Sequence, residues 1–140
     1  MLVLDTDHVS ELGYGTPAGL RLRDRLLASG EDIATTIVTV EEQLRGWLAE
    51  IHRLADPHRQ IPAYQRLHER IEFYAHWTIL QWDTAAAESF LSLRQQGVRI
   101  GSMDLKIACI ALVHNGRLLT RNTSDFARVP GLRVENWTGD

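Results

Sequence analysis

The chain has one cysteine, one lysine, two methionines and four prolines among 140 residues, and no uninterrupted apolar run long enough to cross a bilayer. A spanning helix needs roughly 18 to 20 consecutive apolar residues. A single cysteine excludes an internal disulfide, and Cys109 lies in Ile107-Ala-Cys-Ile-Ala111, an aliphatic stretch that predicts a core position. No HExxH or CxxC pattern occurs, which disfavours a zinc enzyme. The opening Met1-Leu-Val-Leu-Asp5 lacks the basic-then-apolar layout of a secretory leader. The expectation is a soluble, cytoplasmic protein without a membrane partner.

Acidic residues outnumber basic ones, 18 against 15. The net charge of −3 disfavours a protein that coats nucleic acid electrostatically, although it leaves room for an enzyme acting on one. Apart from Lys106 every basic residue is arginine, whose planar fork suits phosphate or carboxylate. At 44% hydrophobic, the chain can bury one core and is too short for two ordinary domains, so residues 1–140 read as one domain.

Short β-like runs alternate with helix-like stretches, the pattern of an α/β fold with a central, mainly parallel sheet flanked by helices. Strands are predicted at Met1 to Leu4, Ile33 to Val38, Thr78 to Leu80, Arg117 to Thr120 and Leu132 to Val134. Helices are predicted at Leu20 to Leu27, closed by Ser29-Gly30, and from Val40 to Asp56-Pro57. Another covers Ala63 to His76, with Leu67, Ile71 and Tyr74 or Ala75 inward and Pro57 to Pro62 as the hairpin connection. The last two run from a cap at Asp83 to Gln96 and from Ser102 to His114. The four tryptophans, with Tyr14, Leu20 and Phe73, read as core or as a groove for a partner segment.

Against this background four carboxylates stand at element ends. Asp5 follows the first strand, where open parallel sheets gather ligands, or it caps a helix starting near Thr6. Asp7, two residues on, is a supporting acid or an early-helix charge. Glu42 sits in Thr39-Val-Glu-Glu42, which also fits a capping box with Thr39 at its head. Gly46, one turn further, costs about 1 kcal/mol against alanine inside a helix, and suggests that another element or a substrate approaches closely there. Asp104 stands at the mouth of the strongly apolar helix after Ser102, where the helix dipole favours it in any case. Asp125 lies in the loop after Leu118-Leu-Thr120, with Thr120 and Asn122 adding neutral oxygens.

Carboxylates beside core sequence are costly unless neutralised, and a divalent cation neutralises several at once. An all-oxygen set suits Mg2+ or Mn2+, and a metal so held can activate water and clamp a phosphodiester. Arg45 and Arg121, each beside an acidic segment, are candidates to contact phosphate or to brace the site.

The blocks Leu4-Asp-Thr-Asp7, Thr39-x-x-Glu42-x-x-x-Gly46, Ile100-Gly-Ser-Met-Asp-Leu-Lys-Ile-Ala108 and Leu119-Thr-Arg-Asn-Thr-Ser-Asp-Phe126, followed by Val129-Pro-Gly-Leu132 and Trp137, resemble the PIN-domain ribonucleases, specifically the VapC-type toxins of bacterial toxin–antitoxin pairs. The resemblance runs nearly end to end. It implies a PIN-like domain and an endoribonuclease dependent on Mg2+ or Mn2+, inhibited by a cognate antitoxin and commonly a homodimer. It places Asp5, Glu42, Asp104 and Asp125 at the family's acidic positions, with Asp5 and Asp104 as principal metal ligands. Where many relatives carry Asn or Ser, this chain has Asp7, and residues 52–81 match no motif. Two other readings stay open. One is a non-catalytic module of the same fold, binding RNA or protein. The other is an aspartyl phosphatase built on Asp5-x-Asp7, although Lys106 falls on the far side of its helix from Asp104 and no later acid pair follows.

Overall fold

The computed structural model describes residues 1–139. Five short strands, β1 (Leu2–Leu4), β2 (Ile33–Thr36), β3 (Thr78–Leu80), β4 (Arg117–Leu119) and β5 (Arg133–Glu135), form one sheet in the order β3-β2-β1-β4-β5. Every pairing is parallel, so each connection crosses over a face of the sheet. Alternation along the strands divides the core into two. Leu2, Leu4 and Leu119 point to one face, where they meet Val9, Leu22, Leu26 and Tyr74. Val3 and Leu118 point to the other, against Leu105, Ile107 to Ala111 and Phe126. Cys109 is fully buried there, as the aliphatic stretch around it predicts.

Among the described residues, seven helices fill the two layers: α1 (Thr6–Gly13), α2 (Pro17–Ser29), α3 (Ile37–Arg53), α4 (Pro57–Ala75), α5 (Thr84–Gln95), α6 (Ser102–Val113) and the single turn α7 (Thr123–Phe126). The Asp83 cap on α5 and the start of α6 at Ser102 stand where the sequence predicts them. Several boundaries differ. Helix α2 begins three residues earlier than Leu20, because Thr16 accepts a hydrogen bond from the Gly19 N–H and Pro17 occupies the first turn. It ends on Gly30 at φ 67°, a left-handed cap that glycine adopts without strain.

Strand β2 stops at Thr36, and Ile37 and Val38 are already helical. Thr36, not Thr39, caps α3, taking the Thr39 N–H at 3.1 Å. The capping box therefore dissolves, and Glu42 sits in the second turn of α3. The α3–α4 connection is Leu54 to Asp56. Pro57 to Pro62 belongs to α4, opened by Asp56 accepting from the His58 N–H with Pro57 in the first turn. On α4, Ala63 and Tyr74 are buried and Leu67 is partly buried, while Ile71 is 58% exposed. Tyr14 and Leu20 are exposed, Trp137 is buried, and Trp47 and Trp77 are partly buried against the α1–α2–α4 layer.

Adding a Cβ to Gly46 meets no protein atom within 4 Å, so no other element approaches α3 there, and of the two approaches its sequence suggests, that of another element is absent among the described residues. Gly19 is a glycine that tight packing requires, since a Cβ there would collide with the Glu11 carbonyl of α1, and Gly116 is another, against the buried Val3 side chain.

Candidate active site

The strand order reverses direction at β1. The chain moves from β1 out to β2 and β3 on one side, then returns to lay β4 on the other. A crevice opens at the carboxyl ends of β1 and β4, the place where open parallel sheets bind ligands. Asp5 follows β1, Thr120 to Asn122 follow β4, and the first turn of α6 delivers Asp104.

Both readings of Asp5 hold at once. Its Oδ1 caps α1 by accepting the Thr6 N–H at 2.8 Å, while Oδ2 accepts the hydroxyl of Thr120 at 2.8 Å. Thr120 is fully buried, and its oxygen accepts the Asn122 N–H at 3.1 Å. That bond turns the chain so that the Asn122 amide donates to Asp125 Oδ2 at 3.1 Å and more loosely to Asp104 Oδ2 at 3.4 Å. An amide nitrogen facing two carboxylates satisfies both with its two hydrogens. Asp125, expected in a loop, lies in the short helix α7. The structure thus ties Asp5, Asp104 and Asp125 together through Thr120 and Asn122.

Glu42 reaches the same cluster from α3. Its carboxyl is pushed up to about 7, first by burial and then by the negative charges of Asp5 and Asp104, and its Oε1 is buried without a hydrogen-bond partner. Asp5 is raised to about 6, mainly by burial, with Asp7 and Asp104 adding to the rise against the Thr120 and Thr6 hydrogen bonds. Asp104 is raised by burial and by Asp125. Carboxyls that suppress one another's ionisation in a cleft are the electrostatic mark of a functional site.

Asp7 is different. Burial would raise it, but the His8 hydrogen bond and the Arg121 N–H, at 3.0 Å from Oδ2, outweigh burial and hold it below the usual carboxylate range. The two arginines also differ from a free phosphate contact. Arg45 pairs with Glu41 at 2.6 Å on the exposed face of α3. Arg121 donates to Thr138 Oγ1 at 3.0 Å and to Glu11 Oε2 at 3.1 Å. His8, Glu11 and Thr138 are site neighbours that the motifs do not reveal. The only signal for His8 is an ionisable residue next to Val9 on the inward side of α1.

An all-oxygen donor set, mutually destabilised charges and an orphaned buried Glu42 oxygen fit a hard divalent cation. Among the described residues, no group of three or more acidic, histidine or cysteine side chains is gathered tightly enough to hold an ion by itself.

Residues 2–132 match the PIN domain family model. Ribonuclease VapC2 of Rickettsia felis is 30% identical over 112 residues, covering 80% of this chain and 79% of its own. The tRNA(fMet)-specific endonuclease VapC of Shigella flexneri is 30% identical over 121 residues, 84% of each. Among solved structures, VapBC-1 of nontypeable Haemophilus influenzae superposes with a TM-score of 0.67 at 25% identity, covering 98% of both chains. With its sheet order, its acidic crevice and these relatives, the chain belongs to the PIN-domain family, among the VapC ribonucleases.

Proposed function

We propose that the chain is the toxin of a toxin–antitoxin pair, a Mg2+- or Mn2+-dependent endoribonuclease working as a single-domain cytoplasmic protein and a homodimer. The observation that carries this reading is the linkage of Asp5, Asp104 and Asp125 through Thr120 and Asn122, with Glu42 raised beside them. The named activities of the relatives support the substrate class, RNA, and a solved structure from the VapBC family of toxin–antitoxin systems of Mycobacterium tuberculosis, 27% identical with a TM-score of 0.57, supports the partner class, a cognate antitoxin.

Asp5 and Asp104 are the principal ligands in this reading, with Glu42 and Asp125 completing the oxygen set. A divalent cation held by these oxygens would supply an acidified water and would offset charge on the phosphate. The protein's part is positioning. Thr120 holds Asp5 by one oxygen, and Thr6 holds it by the other, so the carboxylate plane is fixed. Asn122 keeps Asp104 and Asp125 apart by standing between their charges. Raised carboxyls at Asp5 and Glu42 mean that protons compete with the metal, so affinity grows with pH through the range from 6 to 7.

An Asp-x-Asp phosphatase finds less support. Asp7 is fully engaged by His8 and Arg121, and the Lys106 ammonium lies 5.7 Å over the Trp82 ring.

The test is incubation of purified protein with single-stranded and structured RNAs, initiator tRNA included, with Mg2+ or Mn2+ and with EDTA, beside the Asp5→Asn variant. Discrete metal-dependent cuts that the variant fails to make support the nuclease. RNA binding without cleavage, equal in wild type and variant, favours a non-catalytic module instead.

A further inference from the structure

His8 is completely buried, yet neither the motifs nor the proposed chemistry uses it. Its two ring nitrogens have unlike partners. The main-chain N–H of Trp137 donates to Nε2 at 3.0 Å, and Nδ1 lies 2.6 Å from Asp7 Oδ1. A backbone N–H can only donate, so Nε2 must carry a lone pair and Nδ1 the proton. The tautomer is thereby set by the C-terminal segment, and the Nδ1–H is aimed at Asp7.

The other oxygen of Asp7 extends the chain of contacts. Oδ2 accepts the Arg121 N–H at 3.0 Å and lies 3.3 Å from the Thr120 hydroxyl. The hydroxyl has a single proton, directed to Asp5 at 2.8 Å. Asp7 therefore depends on His8 and the Arg121 N–H for its donors. The Asp7 side chain is partly buried, with 26% exposed, and on losing the His8 proton it would turn to water or to the nearest protein donor, the hydroxyl that Thr120 gives to Asp5.

We propose that His8 is a positioning residue for the acidic site. Through Asp7 it fixes residues 120–122, the segment whose Thr120 hydroxyl and Asn122 amide orient Asp5, Asp104 and Asp125. The Trp137 N–H is the far end of this link, so the last strand's exit is coupled to the crevice. Arg121 reinforces it, with its side chain bridging Thr138 to Glu11 while its N–H holds Asp7. The proposal rests on the metal-site reading above.

Two substitutions separate the halves of the link. In His8→Asn the amide nitrogen takes the place of Nδ1 and keeps a donor for Asp7, losing the acceptor for Trp137. In His8→Gln the amide oxygen takes the place of Nε2 and keeps the Trp137 bond, losing the donor. Mn2+ affinity is read by calorimetric titration, folding by circular dichroism and thermal midpoint, and the wild-type ring tautomer by 15N NMR of the imidazole.

The expected result is an Nδ1–H tautomer, a loss of Mn2+ affinity of about 10- to 100-fold in the folded His8→Gln protein, as removal of outer partners of metal ligands costs elsewhere, and recovery of most of it in His8→Asn despite a lower midpoint. A wild type that binds Mn2+ with an affinity that His8→Gln retains would overturn the positioning role alone, as would an Nε2–H tautomer. A wild type that binds no Mn2+ would overturn the metal site itself, and the positioning role with it.

Discussion

The Thr120 hydroxyl donates to Asp5 Oδ2 at 2.8 Å across a sequence separation of 115 residues, joining the ends of two neighbouring parallel strands. Because both residues are buried, this bond and the Thr6 N–H on the other oxygen together fix the acid. Replacing Thr120 with Val keeps the shape and removes both the donor to Asp5 and the acceptor of the Asn122 N–H. Mn2+ affinity is expected to fall by about 10- to 100-fold, by the same outer-partner reasoning, while Thr120→Ser stays near wild type. Isothermal titration of the three proteins checks it. Equal affinities would show that Asp5 needs no such support.

Raised carboxyls make the metal-free fold sensitive to pH. Asp5 at about 6 and Glu42 at about 7 hold protons in the fold that the unfolded chain has already released. From pH 4 to 7 the folded state binds more protons than the unfolded one, so stability falls as pH rises. In EDTA the thermal midpoint is expected to be lower at pH 8 than at pH 5.5. Glu42→Gln should flatten that slope, as followed by differential scanning fluorimetry. Asp7 has the opposite sign, its contribution being lost only as pH falls below the usual carboxylate range.

The same electrostatics give Asp5→Asn two opposite effects. Without metal at pH 8, relief of repulsion raises the midpoint, tempered by the weaker helix cap. With saturating Mn2+ the wild type gains stability through binding while the variant does not, since ligand linkage requires affinity for the native state. A variant stabilised by Mn2+ as much as wild type would remove Asp5 from the ligand set.

Two glycines on helices should respond in opposite directions. Gly46→Ala, in open space on α3, is expected to stabilise by about 0.5–1 kcal/mol through helix propensity. Gly19→Ala forces a methyl into the Glu11 carbonyl and is expected to cost about 1–3 kcal/mol as α1 and α2 are pushed apart. Urea denaturation measures both.

The alternation of strands and helices was readable because apolar β-branched runs and helical periodicities are local signals. Asp83 before α5 and Ser102 at the start of α6 likewise carried their own chemistry. The start of α3 was not readable in the same way. Thr36 and Thr39 are equally good caps, and only the parallel pairing of β2 with β3, which ends at Thr36 and Leu80, decides between them. Gly46 misled for a related reason. A glycine's backbone cost is intrinsic, but whether anything fills the space beside it depends on the neighbouring elements.

Sequence alone determined that Asp5, Asp104 and Asp125 would stand at or near element ends, because each lies directly beside its own strand or helix, whereas Glu42 lies inside α3. Tertiary structure decided which groups brace them. His8, Trp137, Asp7 and Arg121 meet only because parallel crossovers bring the exits of β1, β4 and β5 to one edge of the sheet. Burial then turned that meeting into chemistry. Charges removed from water raise Asp5 and Glu42, and no local stretch of sequence carries the information on which carboxylate will face which.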